Sequence, residues 1–324
     1  MISAIRCIQR GQKEYPLGLE RLKDPPSCIY LRGQIPSWER AVAVVGTRNA
    51  TSRGEAIARS LAASLAKEGC VVVSGGARGI DRAAHEGALE SGGITVVVHA
   101  SGLNAIPKSS LPFLRQVLEM GGLEVSELVE DARPHRHTFL ARNRLIAALA
   151  QAVVVVEAPI PSGALSTAAH ALALGIPLFS VPRVPSVFNA EGSNALLRKG
   201  ARVCLGPEDV LEVLDARHEA LGSNRLQQKE RKERKPGTTK PGGLTKPAPT
   251  TPHPSHLSLD GLCQELGQDL GQLYGLIAAE PLRMEGLVER LGWSTERVLA
   301  ALGALEAMGM IVCHSNGEVE ALAS

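Results

Sequence analysis

Arginines and short hydroxyl residues gather beside glycines in five segments of this 324-residue chain. They are GTRNATS (Gly46 to Ser52), SGGARGID (Ser74 to Asp81), RHTFLARNR (Arg136 to Arg144), EAPIPSGALST (Glu157 to Thr167) and GSNALLRKGA (Gly192 to Ala201). Glycines at 75, 76 and 79 let a backbone approach a phosphate closely and adopt positive φ, while Ser74, Ser162 and Thr167 offer short donors. Arg48, Arg78, Arg142, Arg144 and Lys199 supply positive charge. The chemistry these types share is anion binding. The known phosphate motifs fit poorly: there is no G-x-x-x-x-G-K-[ST], GGARG does not match G-x-G-x-x-G, and the strand after it lacks a terminal acidic residue for a ribose. That argues against a nucleoside triphosphatase or an NAD enzyme, and no cofactor is expected.

Acid/base chemistry has one candidate set. Asp81 and His85 lie four apart on one helix face, and Glu157 ends a strand beside the glycines. A packed histidine in an Ala-rich helix and a glutamate that holds an arginine explain the same residues without catalysis, and that is the favoured reading. His135 and His137 form an H-x-H without a third ligand at suitable spacing, so no metal is expected. The six cysteines never form C-x-x-C, which points to reduced thiols rather than zinc or a disulfide framework.

Elements that would carry these segments are legible in the apolar runs. From Ala41 onward AVAVV, CVVVS, ITVVV, AVVVVE, PLFSV and RVCL alternate with helices reaching Lys67, Leu89 and Leu174. Continuous Val/Ile runs separated by helices predict a Rossmann-like, doubly wound, mainly parallel α/β sheet. Ser52 and Glu55 suggest a capping box at the first helix and Gly69 its C-terminal stop, which leaves GTRNATS on the strand-to-helix loop where such sheets bind ligands.

Composition divides the chain into an N-terminal extension packing on the core (1–40), the α/β domain (41–216), a basic Pro/Gly/Lys-rich flexible linker (217–256) and a small C-terminal module (257–324). Helical periodicity in LGQLYGLIAAE, MEGLVERL and Thr295 to Met308, with Ser294 and Gly309 as caps and a Ser-Asn-Gly hairpin after them, predicts a winged helix. This module holds ten acidic and three basic residues, a net charge of −7, against +6 for the linker and +3 for residues 1–216. So acidic a winged helix should repel duplex DNA and contact protein instead. The chain has no apolar run of about 18 residues and no secretory signal pattern, so it is expected to be cytoplasmic, without membrane insertion.

Read in order, Gly46-Thr47-Arg48, Ser74 to Asp81 with Ala84-His85, Ser126-Glu127, Phe139 before Arg142-Asn143-Arg144, Glu157, Ser162-Gly163 with Thr167-Ala168, and Lys199-Gly200-Ala201 resemble the signature blocks of the DprA/Smf family of DNA-processing proteins over about residues 15 to 214. The resemblance implies a basic pocket that grips single-stranded DNA, a homodimer through the same domain, and loading of a RecA-type recombinase, with no catalysis. Carried over by residue, phosphate ligands would be Arg48, the Ser74 to Arg78 loop with Gly75 and Gly76, Ser162, Gly163 and Lys199, with Asn143 and Thr167 in the same blocks and Arg136 and Phe139 near a base. Arg142 and Arg144 would either contact DNA or brace loops by pairing with Glu157. Ile106-Pro107-Lys108-Ser109 departs from the family's Tyr-Pro and Asn, so no such side-chain role transfers. With only nine aromatic residues, phosphate contacts should dominate and affinity should depend strongly on salt. The alternative is a hydrolase of nucleoside monophosphates on a similar fold. Its P-G-G-x-G-T loop is matched only in part by Pro161 to Thr167.

Overall fold

Valine-rich runs become strands because β-branched side chains suit a pleated surface covered on both faces. In the computed structural model, which describes residues 4–185, 189–219, 272–274, 276–277, 282–307, 311–313 and 318–321, nine strands form one sheet. They are β1 (Arg6–Gln9), β2 (Cys28–Gly33), β3 (Ala41–Val45), β4 (Val71–Ser74), β5 (Thr95–Val98), β6 (Leu123–Ser126), β7 (Ala152–Val155), β8 (Leu178–Ser180) and β9 (Arg202–Val203). Their order is β1-β2-β6-β5-β4-β3-β7-β8-β9, with β3 to β9 mutually parallel and β1 and β2 antiparallel. The order reverses between β3 and β7, so the loops leaving their carboxyl ends diverge and open a crevice, where ligands bind in sheets of this kind.

Helices α1 (Ser52–Lys67), α2 (Ile80–Glu90), α3 (Leu111–Glu119), α4 (Arg136–Leu149), α5 (Gly163–Ala173), α6 (Glu191–Arg198) and α7 (207–219) cover the sheet. Alternation decides the faces. Val42 and Val44 pack with Ala58, Leu61 and Ala84 of α1 and α2 and with Val210 and Leu214 of α7. Ala43 and Val45 pack with Leu145 and Ile146 of α4, Ala168 of α5, and Leu19 and Ile29 from the N-terminal region. Gly87 lets α1 and α2 approach closely, since a Cβ there would stand 2.1 Å from the Arg59 carbonyl oxygen.

Several expectations change. Residues 6–33 do more than pack on the core: β1 and β2 extend the same sheet, β2 pairing with β6. The apolar pattern hides β6 because Glu124 interrupts it. That carboxylate is buried yet matched by Arg32 Nε at 2.5 Å and His99 Nε2 at 3.1 Å. The N-cap of α1 is Thr51, whose Oγ1 accepts the Gly54 N–H at 2.9 Å, and Ser52 is already helical. Gly69 follows the helix at φ +75°, as its stop residue should. RHTFLARNR forms the first turns of α4, and α7 runs through the boundary expected at residue 216.

In the C-terminal module, β10 (Leu282–Arg283), α8 (Met284–Leu291), α9 (Thr295–Ala307), β11 (Ile311–Cys313) and β12 (Glu318–Ala321) surround a core of Leu273, Leu287, Val298, Leu302 and Ile311. Residues 272–274 and 276–277 are helical, and the strands order as β10-β12-β11, which makes a winged helix. Ser294 Oγ accepts the Arg297 N–H at 3.3 Å, as expected of an N-cap. The Ser-Asn-Gly turn, Gly309 and linker residues 220–256 lie outside the described residues.

Candidate nucleic-acid interface

The loops after β3 and β7 and the starts of α4 and α5 enclose a cavity of about 450 Å³. Among the residues singled out from sequence, Arg48, Arg136, Phe139, Arg142, Asn143, Ser162, Gly163 and Thr167 line it. Ser74, Gly75, Gly76, Arg78, Arg144 and Lys199 are absent from that lining.

Arg48 is exposed at the rim, with its guanidinium carbon 4.8 Å from the centroid of the Phe139 ring. Arg136, also exposed, stands one turn before Phe139. Among the described residues, neither arginine is tied into a salt bridge. The first turns of α4 and α5 face the same space, and their unpaired N–H groups and dipoles favour an anion. Ser162 caps α5, its Oγ accepting the Ala164 N–H at 3.3 Å, and Asn143 Nδ2 donates to the Gly163 carbonyl at 3.1 Å, which fixes α5 against α4.

A buried support stands behind this rim. Arg142 donates to the Gly75 carbonyl at 2.8 Å and to the Val98 carbonyl, and a Cβ on Gly75 would fall 2.5 Å from its guanidinium. Gly75 therefore makes room for an arginine. Burial lowers the Arg142 pKa to about 10, against the opposing pull of Asp81, so the side chain stays charged at neutral pH. Asp81 accepts the Gly75 N–H at 3.1 Å, and burial pushes its carboxyl upward. Ser74 Oγ donates to the Val44 carbonyl at 2.7 Å. Gly76 and Gly79 take φ +68° and +77°, and Gly79 brings α2 against the Thr47 carbonyl. In this loop Ala77 lines the cavity while Arg78 points to solvent.

The expected pairing of Arg142 or Arg144 with Glu157 is absent. Arg144 pairs with Glu127 and donates to the Asp24 carbonyl at 3.2 Å. Glu157 pairs instead with Arg183, a residue the sequence reading missed. The adjacency of β7 and β8 was the signal that could have found it, since both side chains follow the carboxyl ends of neighbouring parallel strands. Thr51 donates to the same carboxylate through its N–H at 2.9 Å and its hydroxyl at 2.6 Å. An internal anion thus occupies the positive end of α1, and Gly54 leaves space for it, since a Cβ would lie 2.3 Å from that carboxyl carbon.

Asp81, His85 and Glu157 do not converge. His85 is fully buried, and because Thr95 Oγ1 already donates to the Val72 carbonyl, the His85 Nδ1–H must donate to Thr95 at 2.7 Å. Burial pulls its pKa down to about 3, leaving a neutral packed ring. His135 and His137 stack at 5.5 Å, and no group of three potential metal ligands occurs among the described residues. Ile106 packs beside Leu89 and Phe113, an apolar use for the position. Lys199 is half-buried at the C-cap of α6. No helix among the described residues is long and apolar enough to cross a membrane.

Comparison with known proteins finds two family models on the chain. Residues 6–215 match the family described as DNA recombination-mediator protein A, and residues 248–317 match the DprA winged helix domain. A putative DNA processing protein DprA of Mycobacterium tuberculosis is 48% identical over 54% of this chain, although the chain spans only 45% of that relative's length. Protein Smf of Synechocystis is 32% identical over 92% of this chain and 75% of its own. A solved structure of DNA processing protein A from Helicobacter pylori, described for its single-stranded DNA binding mode, superposes with a TM-score of 0.57 at 32% identity, covering 65% of this chain and 96% of that one. A family match over most of the chain, with the winged helix in its proper place, makes this protein a member of the DprA/Smf family of DNA-processing proteins.

Proposed function

We propose that the protein binds the backbone of single-stranded DNA in the crevice between the β3 and β7 loops, without catalysis, and presents the strand to a RecA-type recombinase as a homodimer joined through the α/β domain. The observation that carries this reading is the exposed Arg48 over Phe139 at the mouth of a cavity that also receives the starts of α4 and α5. A guanidinium stacked on an aromatic ring offers a phosphate contact and a stacking surface together, which is what sequence-tolerant strand binding requires. The single-strand binding described for the Helicobacter pylori relative supports it. Arg136, Asn143, Ser162, Gly163 and Thr167 would complete the phosphate track, while Arg142, Ser74, Gly75 and Gly76 would hold it in shape. Arg78, Arg144 and Lys199 would bear on DNA only where the strand leaves the cavity.

The test is binding of labelled oligo-dT of graded length, and of matched duplex, as salt is varied. Tight, length-dependent binding that prefers single strands is expected, with log K falling by roughly 0.7 per phosphate neutralised for each decade of salt. Arg48→Ala should weaken binding at least tenfold and flatten that slope by roughly 0.7. Phe139→Ala should cost about 1 to 3 kcal/mol with the slope unchanged. Indifference to Arg48 would remove the strand from this crevice, and release of base from a nucleoside monophosphate would transfer the assignment to a hydrolase. RecA-type loading is tested separately, by whether the protein speeds filament growth on coated single strands.

A further inference from the structure

The third helix of the winged-helix module, α9, packs along α5 and touches α4. Thr295 and Leu299, from its first two turns, form part of the wall of the cavity that holds Arg48 and Phe139. The approach is close at Gly303, where a Cβ would stand 3.4 Å from Ser166 Oγ and 3.5 Å from Leu140 Cδ2. Ser166 Oγ is buried with no hydrogen-bond partner among the described residues, so this face of α5 is sealed from water.

In winged helices that read duplex DNA, this third helix is the element that enters the major groove. Here it is turned onto its own chain, and the module carrying it has ten acidic and three basic residues while the cavity rim presents Arg48 and Arg136. We propose that the α4–α5 face is a docking surface for the module's own α9, which closes the cavity, and that single-stranded DNA competes with it for the same mouth. The proposal rests on the reading of the cavity as the strand-binding site. Its consequence is an apparent affinity for DNA reduced by the fraction of molecules in which α9 is lifted.

The experiment uses the full chain carrying Gly303→Leu. Leucine favours helix over glycine, so α9 should persist, while the larger side chain cannot fit between Ser166 and Leu140. Two readouts are taken. Hydrogen exchange over residues 137–141 and 162–168 should quicken in the DNA-free variant, and exchange over residues 295–303 of α9 should quicken in the wild type when oligo-dT is added. Affinity for oligo-dT should tighten about tenfold if the closed form holds about nine molecules in ten. Exchange unchanged by Gly303→Leu would show that the contact is absent in solution, and faster exchange with unchanged affinity would show that it does not gate the cavity; either overturns the proposal. Protection that grows with protein concentration would assign the contact to a second copy and overturn docking within one chain. If neither protein binds oligo-dT although exchange quickens in Gly303→Leu, the strand-binding reading fails and the gating of DNA with it. Binding by the variant alone would support both.

Discussion

Two kinds of arginine surround the cavity, and burial separates their roles. Arg48 and Arg136 keep their guanidinium groups at the surface, where they can exchange water for a phosphate at small cost. Arg142 and Arg183 are buried and spend their donors on the protein, the first on two strand-end carbonyls and the second on Glu157. A buried ion pair adds little over apolar residues, yet losing one partner leaves a bare charge in a poor solvent. Arg183→Met is therefore expected to destabilise the fold by about 3 to 5 kcal/mol, read from urea denaturation, with much of that recovered when Glu157→Gln is added. A loss below about 1 kcal/mol would mean that water reaches the pair and that the α1 loop does not depend on it.

Helix starts are the element-level device of this site. Three helices begin around the crevice; the Glu157 carboxylate occupies the start of α1, and the proposed strand would meet the starts of α4 and α5. The spacing of α1 and α2 depends on a small residue where their backbones cross. At Gly87 the α1 backbone is so near that any side chain must push the helices apart. Gly87→Ala, which should stabilise an isolated helix, is expected instead to cost about 1 to 3 kcal/mol and to lower the urea midpoint. A neutral or stabilising result would show that α1 and α2 can separate without loss, and that Gly87 is not what sets their distance.

Two histidines, His85 buried and His170 half-buried, act at the level of the whole molecule. His85 is held near pKa 3 and His170 near 4, both by burial, against 6.5 for a free imidazole. As pH falls below 6.5 the unfolded chain takes up protons at these sites that the folded chain refuses, so unfolding becomes easier. The stability they protect is complete above pH 6.5 and is lost progressively toward pH 3, at about 1.4 kcal/mol per pH unit for each group. His85→Gln, which keeps a donor for Thr95, should reduce the slope of stability against pH between 6 and 5 by about that amount, with His170 supplying part of the remainder. Identical slopes in wild type and variant would place the His85 ring in contact with water.

The parallel sheet, the winged helix and the family were all legible in the sequence. They rest on short-range signals: runs of valine, caps and turns, and blocks of residues in fixed order. Rossmann-like strands from β3 to β9 appeared wherever the apolar run was unbroken, and β6 was lost because Glu124 breaks it. Only the tertiary structure supplied that residue with Arg32 and His99, decided that β1 and β2 join the sheet, and matched Arg183 with Glu157. It likewise sorted the predicted rim into Arg48, Phe139 and Ser162 at the cavity and Ser74, Gly75 and Arg142 largely behind it as support. The physical reason is common to these cases. A residue's type fixes what it can bond, but burial and the choice of partner depend on neighbours far away in the chain, and those are set only when the sheet closes around them.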